Sequence, residues 1–152
     1  LAEIQLGVET DTLDPTGKVV ETANVPKLTE DKINLVLKEF IGEIKQEPPM
    51  FSALKVNGEP LYKLARKGIN IPRENRTVNI YDIQLINFTD RRITLKVVCG
   101  RGTYIRSLAK DIAEKLHTVG HLTSLKRTRI GEYNQSSCIA VKDLSKWISA
   151  RT

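Results

Sequence analysis

The side chains in this 152-residue sequence that could do chemistry are carboxylates, arginines and tyrosines. Asp14 stands in TDTLDPTG, between a leucine and a proline. A carboxylate there has two possible roles. It can act in covalent catalysis, or it can turn a corner, because aspartate bonds the backbone two residues on while proline presets the next dihedral. A second stretch, CGRGTYIRSLAKDI, ends a strand in Gly100 and Gly102 and starts a helix at once, with Tyr104 and Arg106 in its first turn. Arginine gains nothing from the positive end of a helix dipole, so Arg106 needs a partner elsewhere. A carboxylate or phosphate suits its bidentate fork; the alternative is an exposed arginine whose stem covers the helix. Cys99, Cys138, His117 and His121 show no metal-ligand spacing. Both cysteines read as reduced packing residues.

The net charge is +6. It favours a polyanionic partner. The charge is uneven: Arg101, Arg106, Lys110, Lys115, Lys126, Arg127 and Arg129 fall between Cys99 and Gly131, opposed there by Asp111 and Glu114. A solvated face would look the same. Aromatic residues make up only 5%, which argues against a platform of several stacked bases. No apolar run approaches the ~20 residues of a membrane span, and no signal-peptide pattern is present, so a soluble, cytoplasmic protein is expected.

The elements that must position these residues read as one interleaved α+β domain over 1–152, with a mixed, largely antiparallel sheet flanked by helices. AEIQLGV alternates as a strand does, and DPTGKVV turns into a second. TEDKINLVLKEFIG is a helix with Thr29 as N-cap, acids in its first turn and Gly42 as its stop. RTVNIYDIQLINF and RRITLKVVC form a hairpin around Thr89 and Asp90. In GTYIRSLAKDIAEKLHTVG, Ile105, Leu108, Ala109, Ile112, Ala113 and Leu116 fall at helical spacing, with Thr103 as cap and Gly120 beyond the end. HLTSLKRTRIGEY reads as one strand and VKDLSKWIS as a short last helix.

One connector does not look like a packing solution. KQEPPMFSALKVNGEPLYKLARKGINIP carries four prolines, several cations and exposed-looking Met50 and Phe51 around one short helical pattern, LYKLARKG. So long and basic a connector is more often a functional excursion than a bare loop, unless Met50 and Phe51 tuck into the core.

Taken together, CGRGTYIRSLAKDIAEKL, GHLTSLKRTRIGEY, PPMFSALKVNGEPLYKLARKGI and LGVETDTLDPTG resemble the tRNA pseudouridine synthase B family, in the expected order and along essentially the whole chain. The resemblance implies a pseudouridine synthase catalytic fold, its distal part. It also implies isomerisation of one T-loop uridine, at tRNA position 55, with no cofactor and no metal. The bond from ribose C1′ to N1 breaks, the uracil turns, C5 joins C1′ and the C5 proton leaves, after the base has flipped out of its stack.

The family's catalytic aspartate lies in a signature resembling Gly-His-x-Gly-Thr-Leu-Asp-Pro-x-Ala-x-Gly. Asp14 shares Thr-Leu-Asp-Pro with it but follows AEIQLGVETD, which resembles a later family segment, so Asp14 reads as a turn residue. The resemblance then places the catalytic aspartate, and an active-site tyrosine, before Leu1. It places no C-terminal PUA-type domain in the chain. On its own the chain is expected to be inactive and to leave the guanidinium of Arg106 buried and unpaired.

By residue, the resemblance makes Arg106 the partner of that aspartate, Tyr104 a substrate contact and Leu125 a wall of the uracil pocket. Lys126, Arg127 and Arg129, expected on the same strand as Leu125, are candidates for backbone phosphates. The connector, at about 46–72, matches a thumb that orders on RNA, so Lys55, Tyr62, Lys63, Arg66 and Lys67 are candidates for clasping the T stem-loop of tRNA. The alternative function is a non-catalytic RNA-binding module. A guide-RNA-dependent relative is a weaker third reading, because the compact thumb is present.

Overall fold

Buried and half-buried residues alternate along the first strand, β1 (Ala2–Leu6), whose Ala2, Ile4 and Leu6 face inward. The computed structural model describes residues 1–150. After β1 come β2 (Val8–Thr10) and β3 (Val19–Thr22), which pair as a hairpin, and then α1 (Glu30–Lys38). The Thr29 hydroxyl caps α1 by accepting from the Lys32 amide at 3.3 Å, as its sequence leads one to expect. Gly42 is not the stop of that helix. It opens a further strand, β4 (Gly42–Gln46), at a φ of +102° that favours glycine.

The connector folds on itself. β5 (Lys55–Val56) and β6 (Glu59–Pro60) make a two-stranded hairpin, and α2 (Leu61–Arg66) follows directly. Amides of Leu61 and Tyr62 bond back to the carbonyls of Leu54 and Ser52, closing the unit. Met50, expected to be exposed, is 8% exposed, while Phe51 is half-buried. Met50 packs outside the main core cluster.

β7 (Arg76–Phe88) and β8 (Arg92–Cys99) form the long hairpin, with α3 (Ile105–Lys115) and β9 (Gly120–Leu125) after it. The five-stranded sheet runs β4-β7-β8-β1-β9, and every strand pair among the described residues is antiparallel. α1 and α3 pack against it side by side. Ile33 and Leu37 from α1 and Leu108, Ala109, Ile112 and Ala113 from α3 meet Ile4, Ile80, Ile93 and Leu95 in one core. Each fully buried leucine or isoleucine among them stabilises the fold by ~1.5–3 kcal/mol.

Toward the end of the chain two expectations are corrected, the Thr103 cap and the single strand HLTSLKRTRIGEY, while Gly120 does lie beyond the end of α3. Thr103 does not cap α3: its hydroxyl donates to the Gly100 carbonyl at 2.9 Å, and Tyr104 is the N-cap residue. The helix ends before Gly120, with His117 taking the left-handed backbone at φ +61°. HLTSLKRTRIGEY is not one strand, because β9 stops at Leu125 and a separate hairpin of β10 (Arg129–Ile130) and β11 (Tyr133–Asn134) follows. Lys126, Arg127 and Arg129 therefore do not share the strand of Leu125. α4 (Leu144–Ser149) is the short last helix, preceded by a turn of 3-10 helix at Val141–Asp143.

Candidate active site

The turn between β2 and β3 carries Asp14. Its carboxylate accepts from the Thr16 amide at 3.0 Å and from the hydroxyls of Thr16 and Thr12 at 2.6 and 2.8 Å, which is the turn role its sequence suggests. Its carbonyl accepts from the Thr10 hydroxyl at 2.7 Å. Leu13, at φ +58°, hands its own carbonyl to the Leu122 amide of β9 at 3.1 Å, pinning the turn to the sheet edge. A side chain at Gly17 would collide with Thr12 and Asp11, so the close approach requires glycine there.

The same carboxylate has a second role. Nη1 of Arg106 donates to Asp14 Oδ2 at 3.0 Å and to the Thr12 carbonyl at 2.9 Å, while Nη2 donates to the Phe51 carbonyl at 2.7 Å. The guanidinium is therefore not unpaired. The expectation of an orphaned cation fails because the turn and the connector both reach it from distant parts of the chain. Each side chain of the pair keeps 24% of its surface exposed. Partial burial works against the Asp14 charge, but the Thr16 and Thr12 hydroxyls, the Thr16 amide and the Arg106 charge outweigh it and hold the carboxyl below its ordinary value.

Asp14, Pro15 and Arg106 line a cavity of about 360 Å³ whose remaining wall is the stretch from Leu122 to Leu125. Leu125, at the end of β9, is 54% exposed and lines this cavity. Tyr104 is half-buried and is not among the lining residues; it directly precedes Ile105, which lines a neighbouring cleft. That cleft, of about 700 Å³, shares Leu125 with the first and gathers Lys96, Arg101, Lys126, Arg127 and Arg129 with no acid on its walls. A basic cleft beside an apolar pocket can hold an anionic chain next to an inserted ring.

The connector places its cations differently. Lys55, Lys63 and Arg66 are exposed, with the Arg66 guanidinium 5.4 Å from the Tyr62 ring centroid. Lys67 is paired with Glu59 at 3.0 Å. The root of this segment is tied to α3: the Ser107 hydroxyl donates to the Glu47 carbonyl at 2.8 Å, and the Tyr104 amide donates to Gln46 Oε1 at 2.8 Å. Lys110 of α3 reaches Glu9 of β2 at 3.1 Å, so α3 is bound to both flanking segments.

Sequence reasoning found Arg106 and Leu125, which meet at one cavity, but missed Gln46, Thr12 and the Asp14 pairing. The threonines flanking Asp14 were the visible signal for a clamped carboxylate. Gln46 had none. Among the described residues no group of three His, Cys, Asp or Glu could hold a metal, and no helix is long and apolar enough to cross a membrane.

Residues 1–105 match the TruB family pseudouridylate synthase N-terminal domain, and residues 106–152 match the tRNA pseudouridylate synthase B C-terminal domain. The border between the two falls inside α3, which is part of one continuous core. A tRNA pseudouridine synthase B of Hydrogenovibrio crunogenus is 47% identical over 131 residues, covering 86% of this chain and 43% of the relative. Its counterpart in Borreliella afzelii is 44% identical over 149 residues, covering 96% of this chain and 52% of the relative. The chain thus spans about half the length of the curated relatives it matches. Among solved structures, a Cbf5-Nop10-Gar1 complex matches 97% of this chain and 35% of its own with a TM-score of 0.64 at 29% identity. An H/ACA RNP bound to a substrate RNA containing 2′-deoxyuridine shares the fold, covering 99% of this chain and 36% of its own, with a TM-score of 0.59 at 24% identity. The chain belongs to the TruB family of pseudouridylate synthases.

Proposed function

We propose that this chain supplies the uridine pocket and part of the RNA-binding surface of a cytoplasmic tRNA pseudouridine synthase that isomerises the T-loop uridine. The observation that carries the reading is the clamped Arg106, whose guanidinium stands at the wall of the same cavity as Leu125. A flipped uracil would enter against Leu125, with Tyr104 close by on the adjoining turn, and its phosphates would lie along Lys126, Arg127 and Arg129. Segment 46–72 would act as the thumb, with Lys55, Tyr62, Lys63, Arg66 and Lys67 against the stem-loop. Arg106 would steer the reacting carboxylate; the partner it holds in this chain is Asp14.

The reaction moves no electrons to or from an acceptor. The C1′–N1 bond breaks, C5 joins C1′, the C5 proton leaves and N1 gains one. Relatives named tRNA pseudouridine synthase B at 42–47% identity favour a stand-alone tRNA enzyme over the guide-RNA reading.

A second reading has one observation in its favour. The acid on the cavity wall, Asp14, is already engaged by Thr12, Thr16 and Arg106, as suits an RNA-binding module without chemistry. Tritium release from a T-arm stem-loop labelled at uridine C5, measured with the full-length gene product and no guide RNA, separates the two. Release supports the synthase, and binding without release supports the module.

A further inference from the structure

We infer that Gln46 is a positioning residue for Tyr104, holding the first turn of α3 in register with the uridine pocket through a single side-chain hydrogen bond. The inference rests on the reading of the pocket as a uridine site. Gln46 ends β4 and is 1% exposed. Its carboxamide oxygen takes the Tyr104 amide at 2.8 Å from a residue 58 positions away. Its Nε2 is buried and has no partner among the described residues.

Tyr104 needs such a fixed point. It is the N-cap residue of α3, yet no side chain caps the helix there. The turn before it contains Gly100 and Gly102, and Gly102 sits at φ +85° in open space. A glycine-rich approach leaves the backbone many conformations; inside the turn the Thr103 hydroxyl holds the Gly100 carbonyl, and the Tyr104 amide itself is held from outside the turn, by Gln46.

The bond belongs to a seam. Glu47 accepts from Ser107 at 2.8 Å and Phe51 from Arg106 at 2.7 Å, so the root of the basic connector touches Tyr104, Arg106 and Ser107 in turn. In the Gln46 bond the connector root supplies the side chain and α3 the backbone group, the reverse of the other two, so a substitution at Gln46 removes it while leaving Tyr104, Arg106 and Ser107 as they are. Packing does not account for glutamine here. An apolar side chain of similar length would fill the space without burying an unpaired amide donor. What an apolar residue could not do is accept the Tyr104 N–H.

The test compares wild type, Gln46→Met and Gln46→Glu in the full-length gene product. Met has similar length and no strong acceptor, whereas Glu keeps an oxygen toward Tyr104. Readouts are kcat and KM for the C5-tritiated T-arm stem-loop, melting temperature, and hydrogen exchange at the Tyr104 amide. Gln46→Met is expected to lose about 10-fold or more in kcat with KM nearly unchanged, at an equal or higher melting temperature, and to exchange faster at Tyr104. Gln46→Glu is expected to recover most of kcat. An unchanged kcat in Gln46→Met overturns the inference, and so does a loss of kcat that tracks a fall in melting temperature or is equal in both variants. If wild type releases no tritium, the uridine reading fails on its own account. The exchange comparison then decides the positioning role: faster exchange at Tyr104 in Gln46→Met alone supports it, and equal exchange refutes it.

Discussion

Arg106 and Asp14 lie 92 residues apart in sequence and meet at 3.0 Å, each with a second set of partners that fixes its orientation. The carboxylate is aimed by Thr12 and Thr16, and the guanidinium by the carbonyls of Thr12 and Phe51. A surface ion pair contributes ~0–1 kcal/mol, but one embedded in hydrogen bonds on both sides contributes more.

Asp14→Asn keeps an acceptor for the turn and removes the charge, so it is expected to lower stability at neutral pH by about 1–2 kcal/mol. The folded carboxyl titrates below its ordinary value, so the contribution is complete above that value and is lost as pH falls through the lowered one. Denaturant unfolding of both proteins should therefore converge in acid. A difference that persists undiminished at about pH 3 would assign the effect to the turn instead of the charge.

Arg106→Lys should be far from conservative. One ammonium cannot span Asp14, the Thr12 carbonyl and the Phe51 carbonyl as the two terminal nitrogens do. A fall in kcat of about 100-fold is expected, with binding of the T-arm stem-loop largely kept. Fluorescence anisotropy and single-turnover rates measure the two separately.

Leu125→Ala isolates the pocket wall from the fold. With 54% of the residue already exposed, its truncation should shift stability by no more than about 0.5 kcal/mol. The lost apolar contact should lower kcat/KM by about 10-fold. A large drop in melting temperature would show that Leu125 is structural.

Asp111 on α3 offers a pH test away from the cavity. Burial, Glu114 and Glu47 raise its carboxyl to about 6, against the pull of Lys110. The folded state thus holds this proton more tightly than the unfolded one. The wild type loses stability as pH rises from the ordinary carboxylate value, about 4, to about 6, and gains none of it back above. Asp111→Asn should stabilise the protein at neutral pH by roughly 1–2 kcal/mol and have no effect near pH 4. Equal gains at both would refute the account.

Lys55 and Lys63 have no ion pair among the described residues and are the connector cations best placed to meet phosphate. Replacing both with glutamine should weaken RNA binding and reduce the slope of log affinity against log salt by about 2. Amides over 46–68 should exchange more slowly with RNA bound. Unchanged slope and exchange would remove the thumb role.

The parts of the fold that are local in sequence were legible there. Thr29 with Glu30 and Asp31 marks the start of α1, and the β7 and β8 runs are rich in β-branched residues along their whole length. β4 was not legible, because GEIKQ is mostly polar and gains its strand character from pairing with Val78 and Ile80, more than 30 residues on. The break after Leu125 was hidden for a similar reason: β-branched residues on both sides of Lys126 suggest one strand, while the sheet partner, β1, runs out at Ala2. The site divides in the same way. Arg106 announced its need for a partner through its place at a helix start, but which acid would meet it depends on a turn whose position is set by Leu122 on β9. Met50 is buried outside the main core cluster, which the prolines before it gave no sign of.

The most direct test compares tritium release at uridine C5 by the full-length gene product with that of its Arg106→Met variant on a T-arm stem-loop, both at saturating RNA. The account predicts rapid release by the wild type and a loss of about 100-fold or more in the variant, with stem-loop binding retained. No release by the wild type, or equal release by both, would contradict it.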